Sequence, residues 1–151
     1  MESNLRIYYK LNLYLLIIMD EWSCYIIENN RYTYVGVSNN VEKRLRAHNG
    51  EIKGGAKYTT SKGKGWKHIC IIRGFPTKIE SMQFEWALKH VPPKNAGGIK
   101  NRIKKLILLL HKEKWTSKAP LSETMPLTIE WIDNIHRPTD VALPVYVNEI
   151  I

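Results

Sequence analysis

Asn29-Asn30 divides two short runs, SCYIIE at 23–28 and RYTYVGV at 31–37, each dense in tyrosine and β-branched residues. Such runs favour strands, and two strands with only a dipeptide between them must fold back as a hairpin. Asparagine accepts the positive φ that a tight hairpin turn requires. Alternation then puts Tyr25 with Ile27 on one face of the first strand, and Tyr32, Tyr34 and Gly36 on one face of the second. Pairing across Asn29-Asn30 predicts that Tyr25 faces Tyr34 to within one residue.

The rest of the chain supplies elements to cover that hairpin. Asn39, with Glu42 three residues on, reads as the cap of a short helix running to Ala47 or His48 and stopping near Asn49-Gly50. Residues 51–66 form a loop rich in Gly, Lys and Thr. KHICIIR at 67–73 reads as a central strand, since its apolar run is nearly continuous. Thr77 and Glu80 form a second capping box, opening a helix over 78–90 that Pro92-Pro93 ends. Ile103, Leu106, Ile107 and Leu110 make one apolar stripe in a helix predicted over 99–115, with Lys100, Lys104, Lys105 and Lys112 off the stripe. Leu127 to Trp131 reads as a last strand, and the tail after His136 as a surface wrap or a mobile end. The expectation is an α+β fold with a small central β-sheet, a β-β-α-β-α core flanked by helices. Three regions follow: an N-terminal extension over 1–22, a core domain over 23–115, and a C-terminal extension over 116–151 packing on it.

A chain of 151 residues suits one domain with a real core, and its formal net charge of +9 points to a polyanionic partner. Cys24 and Cys70 lie in no CxxC or Cys/His pattern, so structural zinc is not expected, and a reduced, intracellular setting is. The run LNLYLLIIM is shorter than the ~20 apolar residues a membrane span needs and lacks a small-residue cleavage site. A docked strand or helix, a free arm, a weak signal-anchor and a translation start at Met19 all remain open for that region.

Four polar side chains near the hairpin and one beyond it carry the chemical interest. Arg44 and His48 are four apart, so they share one face of their helix. Tyr25 and Tyr34 form a cross-strand pair. Each has a plain structural reading, as aromatic packing or as a solvated helix end. Glu85 lies in FEWAL, where Phe84, Trp86 and Leu88 are expected to be buried. A carboxylate there either pairs with Lys89 at i+4 or meets a deliberate cation or metal.

The order and spacing of these residues resemble the GIY-YIG nuclease superfamily. Tyr25 stands at its first signature tyrosine and Tyr34-Val35-Gly36 at its second motif. Arg44 and His48 fall on its arginine and histidine, and Glu85 on its metal-binding glutamate. Ser23 and Cys24 replace the Gly and Ile of the first motif. RLRAHNGEIKGGAKYTTSKGKGWKH and GFPTKIESMQFEWALKH are similar to the branch that includes the catalytic subunit of the SLX structure-specific endonuclease. The resemblance implies a metal-dependent, structure-specific DNA endonuclease acting on flaps and junctions, with Mg²⁺ or Mn²⁺ held at Glu85. Tyr25 is the first choice of base, with Tyr34 as its partner and His48 either orienting Tyr25 or taking the proton itself, and Arg44 is expected on the attacked phosphate. Lys53, Lys57, Tyr58, Lys62, Lys64 and Lys67 of the glycine-rich loop are the expected DNA contacts, and the lysines of the third helix a second patch. Relatives in that branch carry a C-terminal zinc module that docks a scaffold. Its cysteines do not occur up to Ile151, so no obligate scaffold is expected. The family's habit of hiding the site by self-association leaves a homodimer open. Expected localisation is the nucleus or a site of DNA replication in a eukaryotic or viral setting, and the cytoplasm otherwise. The alternative is a non-catalytic nucleic-acid-binding module of the same fold, or a basic protein at a membrane.

Overall fold

A computed structural model describes residues 3–19, 21–94 and 97–151, the side chains of 14–19 excepted. It contains α1 (Asn4–Met19), β1 (Ser23–Asn29), β2 (Tyr32–Ser38), α2 (Val41–His48), α3 (Lys57–Ser61), β3 (Lys67–Arg73), α4 (Lys78–His90), α5 (Ile99–Leu110), β4 (Leu127–Trp131) and β5 (Val147–Ile150), with short 3-10 turns at Ser122–Thr124 and Asn134–His136. The strands form one sheet in the order β2-β1-β3-β4-β5, antiparallel except for the parallel β4–β5 pair. The α+β class and the central place of β3 agree with the sequence. No helix among the described residues is long and apolar enough to cross a membrane.

The two sheet faces bury different chemistry. On one face Cys24, Ile26, Val35, Cys70 and Ile72 pack against Phe84 and Leu88 of α4 and Leu106 and Leu109 of α5. A bulge opposite Ile26/Ile27 brings both Ile69 and Cys70 to this side. Phe84 meets Trp115 edge-on at 4.9 Å between ring centres. The other face is smaller and more polar: Tyr25, Ile27 and Ile71 pack with Val41 of α2 and with Trp66, and Tyr32, Tyr34 and Leu45 close its rim. Both cysteines are free and buried.

Several expectations need correcting. The hairpin turns at Asn30-Arg31, with Asn30 at φ 54°, so Tyr25 pairs with Gly36 and Tyr34 with Ile27. Moving the turn by one residue moves the register by two, which keeps both tyrosines on one face but sets them diagonally. The first helix cap is Asn40, whose side chain accepts from Lys43 N at 3.1 Å, and Glu42 takes no part in a capping box. Ser38 Oγ accepts from Asn40 N and holds that entry turn. The Thr77–Glu80 capping box is present. Helix α5 ends at Leu110 rather than Trp115, because Trp115 leaves the helix direction to join Phe75 and Phe84. Lys105 is 3% exposed, its stem lying with the apolar side of α5. Trp86 is exposed and stacks on His90, since two positions from Phe84 carry it around the helix. The tail after His136 supplies β5, which pairs with β4.

The register explains why Gly36 stands opposite Tyr25. A Cβ on Gly36 would collide with Tyr25 Oη and lie 2.6 Å from its Cζ. The absent side chain lets the phenol cross β2. Gly36→Ala is expected to destabilise the protein by about 1–3 kcal/mol through this overpacking. Equilibrium denaturation should show the loss as a lower midpoint with an unchanged slope.

Candidate active site

Tyr25 is buried at the centre of the second face, and its hydroxyl lies 2.8 Å from His48 Nε2. His48, in the last turn of α2, is 1% exposed, and its Nδ1 lies 2.7 Å from Thr59 Oγ1 on α3. Thr59 Oγ1 in turn donates to Ala56 O at 3.1 Å. A carbonyl can only accept, so the threonine proton points at Ala56 and the threonine oxygen must accept from His48. This fixes the tautomer: Nδ1 carries the proton, and Nε2 offers a lone pair to the Tyr25 hydroxyl. The chain of donors runs Tyr25 to His48 to Thr59 to Ala56.

Electrostatics agrees with neutral partners along that chain. Burial pushes the His48 pKa down to about 4, with Arg44 and His68 acting the same way. Burial raises the Tyr25 pKa well above its ordinary value, and the Tyr34 phenol adds to this, while hydrogen bonding and charge from Arg44 oppose it. Tyr25 is thus a phenol at neutral pH, and Arg44 is the cation that favours its ionisation. Tyr34 does not touch Tyr25 directly as a cross-strand pair. Its ring sits 4.9 Å from that of His48, so both phenol rings contact the imidazole.

Loop residues 49–66 are shaped to hold Thr59. Asn49 Oδ1 accepts from Gly65 N and Trp66 N, while its amide donates to Trp66 O. Asn29 ties the other side of the loop through Lys62 O and Lys64 O. Buried Trp66 donates Nε1 to Thr59 O at 3.0 Å. Arg44 Nη1 donates to Gly54 O at 2.5 Å and so anchors the loop's start. Thr59 and Trp66 are not singled out by the sequence, and Asn29 and Asn49 are read there only as a turn and a helix stop. The only sequence signals were an asparagine directly after His48 and a tryptophan closing the loop.

Of the expected loop contacts, Lys53, Lys57, Lys64 and Lys67 are exposed and Lys62 is half-buried. Lys62 Nζ lies 4.5 Å from the Tyr32 ring centre and 5.5 Å from that of Tyr58. Tyr58 is 44% exposed and runs nearly parallel to Tyr34, with ring centres 6.3 Å apart. A basic and aromatic strip therefore leads along the loop to the buried hydroxyl–imidazole pair.

Glu85 comes from the opposite sheet face and reaches this group only through a neighbour. Its Oε1 accepts from Lys89 Nζ at 2.8 Å, and that ammonium lies 5.4 Å from the Tyr34 ring centre. Among the described residues no group of three or more His, Cys, Asp or Glu side chains could hold a metal. One largely buried carboxylate suits a hard cation that keeps most of its waters, once the tethered lysine gives way.

The linked pKa values predict a pH dependence. The folded pKa of His48 lies below its unfolded value near 6.5, so the unfolded chain binds more protons between pH 6.5 and 4. The stabilisation is complete above pH 6.5 and is lost as pH falls towards 4, by at most roughly 3 kcal/mol. His68, also depressed, acts with the same sign. Thermal midpoints measured across this range should fall, and His48→Gln should flatten part of the slope.

Comparison with known proteins covers the stretch of chain that holds this geometry. Residues 21–95 match the family model described as the GIY-YIG catalytic domain. The chain is 45% identical over 73 residues to the structure-specific endonuclease subunit slx1 of Schizosaccharomyces japonicus, covering 46% of this chain and 26% of that one. Identity to the subunit of the same name is 45% over 69 residues in Phaeosphaeria nodorum, covering 44% of this chain and 19% of the other. In Schizosaccharomyces pombe it is 40% over 70 residues, covering 43% and 26%. The chain thus spans about a quarter or less of the length of these relatives. The matched region, with β1, β2, α2 and α4 in it, makes this a chain of the GIY-YIG catalytic-domain family.

Proposed function

We propose that this protein is a metal-dependent endonuclease that hydrolyses phosphodiester bonds in branched DNA. The observation that carries the reading is the directed Tyr25–His48–Thr59 chain beside Arg44. The slx1 relatives are named as structure-specific endonuclease subunits, which favours branched DNA over plain duplex. That word "subunit" speaks for an assembly partner, against the scaffold-free action expected from the sequence. A nuclear site of action in a eukaryote follows from the same reading.

The residues divide the work by their chemistry. Arg44 offers a planar fork to two oxygens of the attacked phosphate. Water gives a proton to Tyr25 Oη as Tyr25 passes its own to His48 Nε2, so charge never rests on the buried phenol. The new bond is water oxygen to phosphorus, and the bond broken is phosphorus to the 3′-oxygen, which takes a proton from solvent. Binding a phosphate at Arg44 removes one cause of the low His48 pKa, so the imidazole becomes a better acceptor when DNA is present. Glu85 would hold Mg²⁺ or Mn²⁺, which supplies charge stabilisation at the leaving oxygen. Lys53, Lys57, Lys64 and Lys67 meet backbone phosphates, with Lys62 between Tyr32 and Tyr58. Tyr58 stacks on an unpaired base at the branch.

Arg44→Ala and Glu85→Ala should each slow cleavage of flaps or Holliday junctions by roughly 10²-fold or more. Branched-DNA binding should remain within a few-fold of wild type. Gel-resolved cleavage with Mg²⁺ or Mn²⁺ checks both, and wild-type rates in both variants would sink the assignment.

A further inference from the structure

Arg102 of α5 is a cation that the site above does not use. Its Nε and Nη2 both donate to Thr33 Oγ1 at 3.3 Å, which pins the guanidinium to the edge strand β2. That partner is a neutral hydroxyl. Among the described residues Arg102 makes no ion pair, although it is half-buried. The groups that act on it electrostatically are the Tyr58 phenol and the Cys24 thiol, neither of them a carboxylate. Burial pulls its pKa down, as happens to a cation without a counterion. Its surroundings add positive charge: Lys105, one turn on, is nearly buried, and burial first and Arg102 second lower its pKa. Glu85 and Lys89 act on the same Cys24 thiol as Arg102, but the Glu85 carboxylate is taken by Lys89.

A half-buried guanidinium among lysines is costly unless an anion completes it. The place is suited to one. β2 is the outer strand of the sheet, so no neighbouring strand covers this edge. Tyr58, which runs parallel to Tyr34 on the candidate site's side, lies near enough to act on Arg102. Arg102 also falls outside the region 21–95 that matches the family model.

We propose that Arg102 is a phosphodiester-binding residue, taking a backbone phosphate of the cleaved DNA strand where that strand passes over the β2 edge. The inference rests on the nuclease reading above. Thr33 fixes the orientation of the fork, and the remaining N–H groups of the guanidinium face the phosphate. A lysine at this position would carry the charge without the fork. Arg102 is thus a second grip on the backbone, on the other side of β2 from Arg44.

The test is the salt dependence of binding to a fluorescent flap DNA in EDTA, for wild type, Arg102→Gln, Arg102→Lys and Arg44→Gln. Arg102→Gln should weaken binding several-fold at low salt and make the slope of log K against log salt shallower by about 0.9, the mark of one lost phosphate contact. Arg102→Lys should keep the slope and lose part of the affinity. A purely structural residue would lower the melting temperature and leave the slope unchanged, and that result overturns the proposal. Protection of wild-type Arg102 from phenylglyoxal by the same DNA gives a reading independent of folding, and equal modification with and without DNA also overturns it. If Arg44→Gln shifts the slope and Arg102→Gln does not, only Arg102 is misassigned. If wild type binds no flap DNA, the nuclease reading itself fails.

Discussion

The hydrogen bond between Tyr25 and His48 is the contact around which the second sheet face is arranged. It needs a phenol crossing β2, which Gly36 permits by having no side chain. It needs an imidazole with a free Nε2, which Thr59 secures by accepting from Nδ1. It needs Thr59 itself held in place, and Trp66, Asn49 and Ala56 do that. A buried polar group is expensive unless every donor has an acceptor, and here the donors run in one direction to a backbone carbonyl.

Charge is distributed around that pair rather than within it. Arg44 lies close enough to favour phenolate and disfavour imidazolium, so it eases proton loss from Tyr25 while opposing proton uptake by His48. On the far side of the sheet edge Lys89 neutralises Glu85, and its ammonium leans on the Tyr34 ring. The ground state is therefore a site of neutral hydrogen bonds inside a basic rim. Under the proposed function, such an arrangement draws a polyanion and gains its catalytic charge only when the phosphate arrives.

Much of this was legible in the sequence, and the exceptions have physical causes. The hairpin, the α4 capping box and the central strand follow from periodicity and local chemistry, which act over a few residues. Asn29-Asn30 and Asn30-Arg31 are both plausible turns by composition. Only pairing with β3 and the crossing of Tyr25 over Gly36 separate them. Asn39 and Asn40 are the same residue type, so the true cap is set by the Ser38 side chain rather than by propensity. Strand β5 depends on parallel pairing with β4, a long-range contact that leaves little local pattern. The site tyrosines, Arg44 and His48 were identified through spacing and family resemblance. Thr59 was hidden as one polar residue in a polar loop, and Arg102 as one base in a basic helix.

The directed hydrogen-bond chain is tested most directly by the ¹⁵N signals of the His48 ring, followed by NMR from pH 7.5 to 4. The account predicts a neutral imidazole protonated at Nδ1, with no titration until the pH approaches about 4. A ring protonated at Nε2, or one that titrates near the ordinary value of ~6.5, would contradict it.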